Sequence, residues 1–204
     1  MKKNKYTGFT PDTVENLILD TGVFFRNYNV ATDTFDSAVI EGKLLGATKG
    51  GGEFNAKPQI RALDIDGLNA NTKGAKIIDD YEVNITANVM EVTEDIIKLA
   101  LAASEVDNSS NEDYTIIKGK MEIKLEDYIE NITWVGTLSG SRTPVIIQVF
   151  NALNQDGLAF KPEKKGEAVI ALNFIGHYDP NTLDEPPFSI YYPKKKISET
   201  KGNK

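Results

Sequence analysis

The sequence predicts a mainly β protein: an antiparallel β-sandwich or partly closed barrel with one flanking α-helix at about residues 93–103. Three observations carry this. Several segments alternate apolar and polar residues with period 2, the mark of strands with one buried and one wet face. One segment, and only one, has helical spacing behind a capping residue. Short runs of Gly, Asn, Asp, Ser and Thr separate the rest, as turns do.

Residues 2–13 are polar and read as a mobile N-terminal arm. Residues 14–28 hold two apolar runs, Leu17-Ile18-Leu19 and Val23-Phe24-Phe25, split by Asp20-Thr21-Gly22, so two extended pieces around a turn are expected. Residues 38–45 read as a further short strand. The run Gly46-Ala47-Thr48-Lys49-Gly50-Gly51-Gly52 is the most flexible stretch, since glycine carries the largest backbone entropy, and Phe54 beside it needs somewhere to dock.

The chain is organised around residues 59–103. Residues 60–66 form a strand, residues 67–73 a loop, and residues 81–90 a longer strand. In that strand Tyr81, Val83, Ile85, Ala87 and Val89 face inward, while Glu82, Asn84, Thr86, Asn88 and Met90 face water. Thr93 then caps a helix whose first turn holds Glu94 and Asp95, at the positive end of its dipole. Ile96, Leu99, Ala100 and Ala103 share one face, so the helix covers a sheet. Residues 107–113 are a polar linker. Strands follow at 117–125 and at 129–138, the latter holding Trp134, the only tryptophan. After a turn at 138–143, residues 144–153 are apolar on both faces and read as a central strand. Residues 154–157 turn the chain into the last long strand, 168–178. From residue 179 a Pro-rich extension runs to Lys194-Lys195-Lys196 and a polar end. The domain therefore spans residues 1–178, followed by an extension over 179–204.

At 204 residues the chain has room for one substantial core. A net charge of −7 and a pI near 4.9 disfavour a generic nucleic-acid binder without excluding passive contact with DNA. With no cysteine there is no disulfide or thiolate site, which fits a reducing compartment or a particle assembled inside one. No stretch approaches the roughly 20 apolar residues of a membrane span. The charged start Met1-Lys2-Lys3-Asn4-Lys5 is followed by no signal-like apolar run.

Chemistry is thinly represented. His177 is the only histidine, and Ser139 and Ser141 lack a nucleophile-elbow context, so no catalytic residue is assigned. Asp64-Ile65-Asp66-Gly67 starts like a calcium loop but lacks the later ligands, so no metal site is assigned. The glycine run lacks the Gly-Lys-Ser/Thr ending of a phosphate loop, and no cofactor is expected. Lys194 to Lys196 reads as a solvated end or as a basic contact with a partner.

The segments Leu45-Gly46-Ala47-Thr48-Lys49-Gly50-Gly51 with Phe54, then Ile60-Arg61-Ala62-Leu63-Asp64-Ile65-Asp66-Gly67 and Lys73-Gly74, then the long strand entering Thr93-Glu94-Asp95, together have a family look. In order, and with the closing strand 168–178, they resemble the major tail tube proteins of long-tailed bacteriophages, especially those of Gram-positive hosts. The resemblance covers residues 44–179. It implies a structural virion protein without enzymatic activity, made in the host cytoplasm and located in the tail. It implies hexameric rings stacked into a hollow conduit for the genome, with inner sheets joined around the channel. The implied partners are the chain itself, the tail tip or baseplate proteins, the tail terminator and DNA passing through, with no membrane. A sheath is a further partner if the tail is contractile or the particle phage-derived.

On that reading the wet residues Glu82, Asn84, Thr86 and Asn88 are channel-lining candidates, the alternative being an ordinary solvent-facing surface. Gly50, Gly51, Gly52 and Phe54 are inter-ring contact candidates. A β-sandwich ligand- or receptor-binding module stays open beside it, with Phe188, Tyr191 and Tyr192 as its exposed aromatics.

Overall fold

The computed structural model describes residues 7–160, 162, 164 and 166–194. Its strands are β1 (Val23–Arg26), β2 (Phe54–Ala62), β3 (Lys76–Val89), β4 (Ser104–Asp107), β5 (Ile116–Gly119), β6 (Ile129–Gly136), β7 (Val145–Asn154), β8 (Ile170–Ile175) and β9 (Phe188–Tyr191). Its helices are α1 (Phe35–Ile40) and α2 (Glu94–Ala100). Seven strands make one antiparallel ladder in the order β1-β6-β7-β8-β3-β2, with β9 also on β7; β4 and β5 form a separate hairpin.

The ladder does not close into a barrel. It folds over at β7, which pairs with β6 and β9 along Val145–Ala152 and reaches β8 only at Leu153 and Asn154. The result is a sandwich: a first sheet, β1-β6-β7-β9, and a second, β8-β3-β2. Between them lie Phe24, Ile132 and Val149 from the first sheet and Val83, Ile85, Leu172 and Phe174 from the second. This is why β7 is apolar on both sides. Val149 faces the core, while Ile146 faces a second cluster with Phe25, Tyr28 and Ala38 on the far side of its sheet.

α2 forms where its cap predicts. Thr93 Oγ1 accepts the Ile96 N–H at 3.3 Å, and Ile96 and Ala100 are buried in the main core. The helix ends at Ala100, three residues before the expected end. α1 corrects the strand expected over 38–45. Thr34 and Ser37 form a reciprocal cap at 2.8 and 3.2 Å, and Ala38 is buried against the first sheet. Only residues 43–45 run extended, as a short edge along β1.

The strand expected over 117–125 stops at Gly119, because its partner β4 is only four residues long. Met121, Ile123 and Leu125 are exposed despite their alternation. The linker expected at 107–113 is the turn of this hairpin, where Asp107 accepts from Ser109 and Ser110. β2 begins at Phe54 and not at residue 60, and β3 is longer than expected by its first five residues, Lys76 to Asp80.

The ends differ as well. Residues 1–6 of the expected arm and Lys195 and Lys196 lie outside the described residues. Pro11–Asn16 is a 3-10 helix, and the following backbone is bonded to the 138–140 turn. Phe188–Tyr191, expected inside a separate extension, is β9: its edge position tolerates the preceding prolines.

Candidate assembly surfaces

The second sheet presents one polar face. Glu82, Asn84, Thr86 and Asn88 share it, between the buried Val83, Ile85, Ala87 and Val89. The register sets Lys57 opposite Glu82 and Asn55 opposite Asn84. Lys57 Nζ lies 3.5 Å from Glu82. Asn84 donates to Asn173 Oδ1 at 3.0 Å, and Asn173 donates to Asp156 at 3.1 Å. Thr86 Oγ1 accepts the Glu53 N–H at 2.9 Å. The face is thus a pre-formed amide and carboxylate network. Tyr81, expected in the core, is half-buried and rests on Phe188 with ring centres 5.5 Å apart.

Among the described residues this sheet has one open edge, along β2, and a short uncovered end on β8. β2 pairs only with β3. Glu53 O accepts the Thr86 N–H, so by antiparallel alternation Phe54, Ala56 and Pro58 turn their main-chain groups outward. Pro58, which has no N–H, fits such an edge. On the other side, β8 is joined to the end of β7 through Phe174 and Ile175 and through Asn173, whose N–H donates to Asn154 Oδ1 and whose carbonyl accepts the Gln155 N–H, so only its Ala171 end is paired with β3 alone.

The glycine-rich run is not a free loop. It lies along β3 as an irregular continuation of β2. Met90 N–H donates to Ala47 O, Asn88 to Gly51 O and Thr86 to Glu53 O, at 2.8, 3.2 and 2.8 Å, and Lys49 N–H returns to Asn88 O at 3.0 Å. Gly51 is buried, and a Cβ at Gly52 would sit 2.0 Å from the Thr86 carbonyl oxygen. Phe54 docks within its own chain, 5.8 Å from Phe188.

What Gly50, Gly51, Gly52 and Phe54 do share is the lining of an apolar cleft of about 370 Å³, which Phe24, Ile147 and Trp134 line as well. A Cβ at Gly136 would lie 2.1 Å from the Trp134 ring and one at Gly22 2.2 Å from its Nε1, which donates to Thr21 O at 2.8 Å. The indole is therefore held flat and cannot swing. In the sequence Trp134 stands out only as the single tryptophan; Gly136, two residues on, is the signal of the close approach.

His177 donates its Nδ1–H to Asn151 O (2.9 Å), accepts at Nε2 from the Gln155 amide (3.3 Å) and meets Tyr128 edge-on. Ser139 bonds Val14 O, and Ser141 bonds Thr143 O. The structure does not bring these residues into one hydrogen-bonded group. Among the described residues no group of three or more His, Cys, Asp or Glu is placed to hold a metal, and no helix is long and apolar enough to cross a membrane.

Fold and surfaces together define an open-edged antiparallel β-sandwich with a helix packed at one end of its core. No protein-family model matches the chain, and no curated protein resembles it significantly.

Proposed function

We propose that this protein is a structural virion subunit that assembles into stacked hexameric rings, forming the tube through which a tailed phage delivers its genome. The single observation that supports it best is the second sheet, which combines one polar, amide-rich face with an open edge along β2 and an uncovered end on β8. An open edge is a template for pairing with another chain. Joining the β2 edge of one copy to the uncovered Ala171 end of β8 in the next would continue the sheet with its polar face on one side. The charge agrees: copies at −7 each give a wall that repels phosphate and lets DNA slide.

Negative-stain microscopy of the concentrated protein tests this directly. Rings or tubes are expected. A species that stays monomeric by light scattering at high concentration, even with tail-tip complexes supplied as nuclei, would count against it. That outcome would favour the ligand-binding alternative, to which the apolar cleft would then belong.

A further inference from the structure

The cleft lined by Trp134 carries chemistry that the assembly reading leaves unused. Phe24 and Ile85 are its buried floor, and Phe54, Ile147 and Trp134 stand half-buried around them. Gly22 and Gly136 follow next in the register that sets Val23 opposite Val135. A Cβ on either would run into the indole, 2.2 Å from Nε1 and 2.1 Å from Cη2. One face of the ring therefore lies on those two glycines, and the other is turned to the cleft. Asp20 and Glu53 stand exposed at the mouth. Glu53 accepts the Asn55 amide at 3.0 Å, and among the described residues neither carboxylate forms an ion pair. The lining holds no lysine, arginine or histidine.

We propose that this cleft binds an organic ammonium ion, a quaternary or alkylated amine with an apolar body. Its volume of about 370 Å³ lies in the range of small-molecule sites. The free indole face attracts a cation, and the two carboxylates without a counter-charge add to that attraction. The apolar body of the ligand covers Ile85 and Ile147 and releases water from them. An anion would meet two carboxylates and no cation. A sugar needs donors as well as acceptors, and the indole N–H is already given to Thr21 O. The site is built within one subunit, so the inference does not rest on the assembly reading.

Trp134 is the only tryptophan, so its fluorescence reports on this cleft. The full chain, kept dilute, is titrated with benzyltrimethylammonium and separately with benzyl alcohol, a neutral ligand carrying the same ring. A saturable change is expected with the cation, at about tenfold or more lower concentration than with the alcohol. Raising the salt should weaken the cation alone. Asp20→Asn with Glu53→Gln should remove most of that tenfold preference while the alcohol's affinity and the melting temperature stay unchanged, a pattern that a merely structural role of the carboxylates would not give. Equal affinities for cation and alcohol, no saturation by the cation, or a preference that survives the double change overturns the inference. So does saturation by methyl glucoside with the cation inert, which would make the cleft a sugar platform. None of these outcomes bears on rings or tubes, because each is read from the separate subunit.

Discussion

Asn154 ties three elements together from a buried position. Its amide donates to the Ala100 carbonyl at the end of α2 at 2.6 Å, and its Oδ1 accepts the Asn173 N–H of β8 at 2.8 Å. Asn154→Ala would strand both backbone groups in a dry site, each worth about 1–3 kcal/mol. A loss of roughly 2–5 kcal/mol is expected, read as a lower urea midpoint at unchanged slope. From sequence, Asn154 opened a turn; nothing local showed that α2 and β8 would arrive at its side chain. Thr93 was legible because its hydrogen bond spans three residues. Asp33 supplies a pH test. The Asn29 N–H first, and Lys43 at 2.6 Å second, hold its carboxyl below the ordinary 3.8. A lowered carboxylate stabilises the fold fully above its unfolded value and loses that share as pH falls through the folded one. Lys43 is raised by the same contact, so its share is present below 10.5 and is lost as pH rises through the higher value. Between neutral pH and about pH 2, Asp33→Asn should lose less urea stability than wild type. An identical acid slope would mean that the pair is not formed in solution.

The elements that sequence identified are those whose pattern is complete within themselves. The inner half of β3 and the strand β8 announce their faces by alternation, β7 announces itself by being apolar on both faces, and α2 by its cap and spacing. α1 was read as a strand because Ala38-Val39-Ile40 is short and apolar, while the signal that decided the matter was the Thr34 and Ser37 cap upstream. β5 was extended too far because alternation states a face but not whether a partner strand exists to bury it. β9 was missed because Pro186 and Pro187 argue against a strand, except at an edge. The glycine run was expected to be free because glycine is permissive, yet Gly52 is required for the opposite reason: it allows the backbone to approach Thr86. Gly52→Ala should lever the segment off β3. Overpacking of about 1–3 kcal/mol translates into roughly tenfold to hundredfold faster amide exchange at Thr86, Asn88 and Met90. Unchanged protection there would mean that the segment does not lie along β3 in solution. Phe54, half-buried against Phe188, cannot be purely an interface residue; its truncation should cost the subunit stability as well as assembly.

At the scale of the whole molecule the sandwich was legible, since several period-2 segments with one covering helix leave few other architectures. The open β2 edge and the exposed tip of the β2–β3 hairpin were not, because an edge exists only once pairing is known. Those are the features that give the polar face its meaning. On that face Glu82 and Asp156 outnumber Lys57, and Asn84, Asn88, Asn173 and Thr86 add amides and a hydroxyl. A channel lined this way offers phosphate almost no cation to hold, whereas the same residues on an outer surface would have no bearing on DNA. The double change Asn84→Lys with Asn88→Lys, in a phage carrying this gene, separates the two. Neither residue is buried, so tubes should still form, with modest destabilisation from losing the Asn84 to Asn173 bond. If the face lines the channel, two added cations per copy should grip the passing DNA and slow ejection. Because phosphate contacts release counterions, raising the salt should relieve the delay, as screening shortens from about 10 Å at 0.1 M to about 3 Å at 1 M. Normal tubes with ejection unchanged at both salt concentrations would place this sheet on the outside of the wall and leave the channel to the face of β1, β6 and β7 that α1 covers only in part.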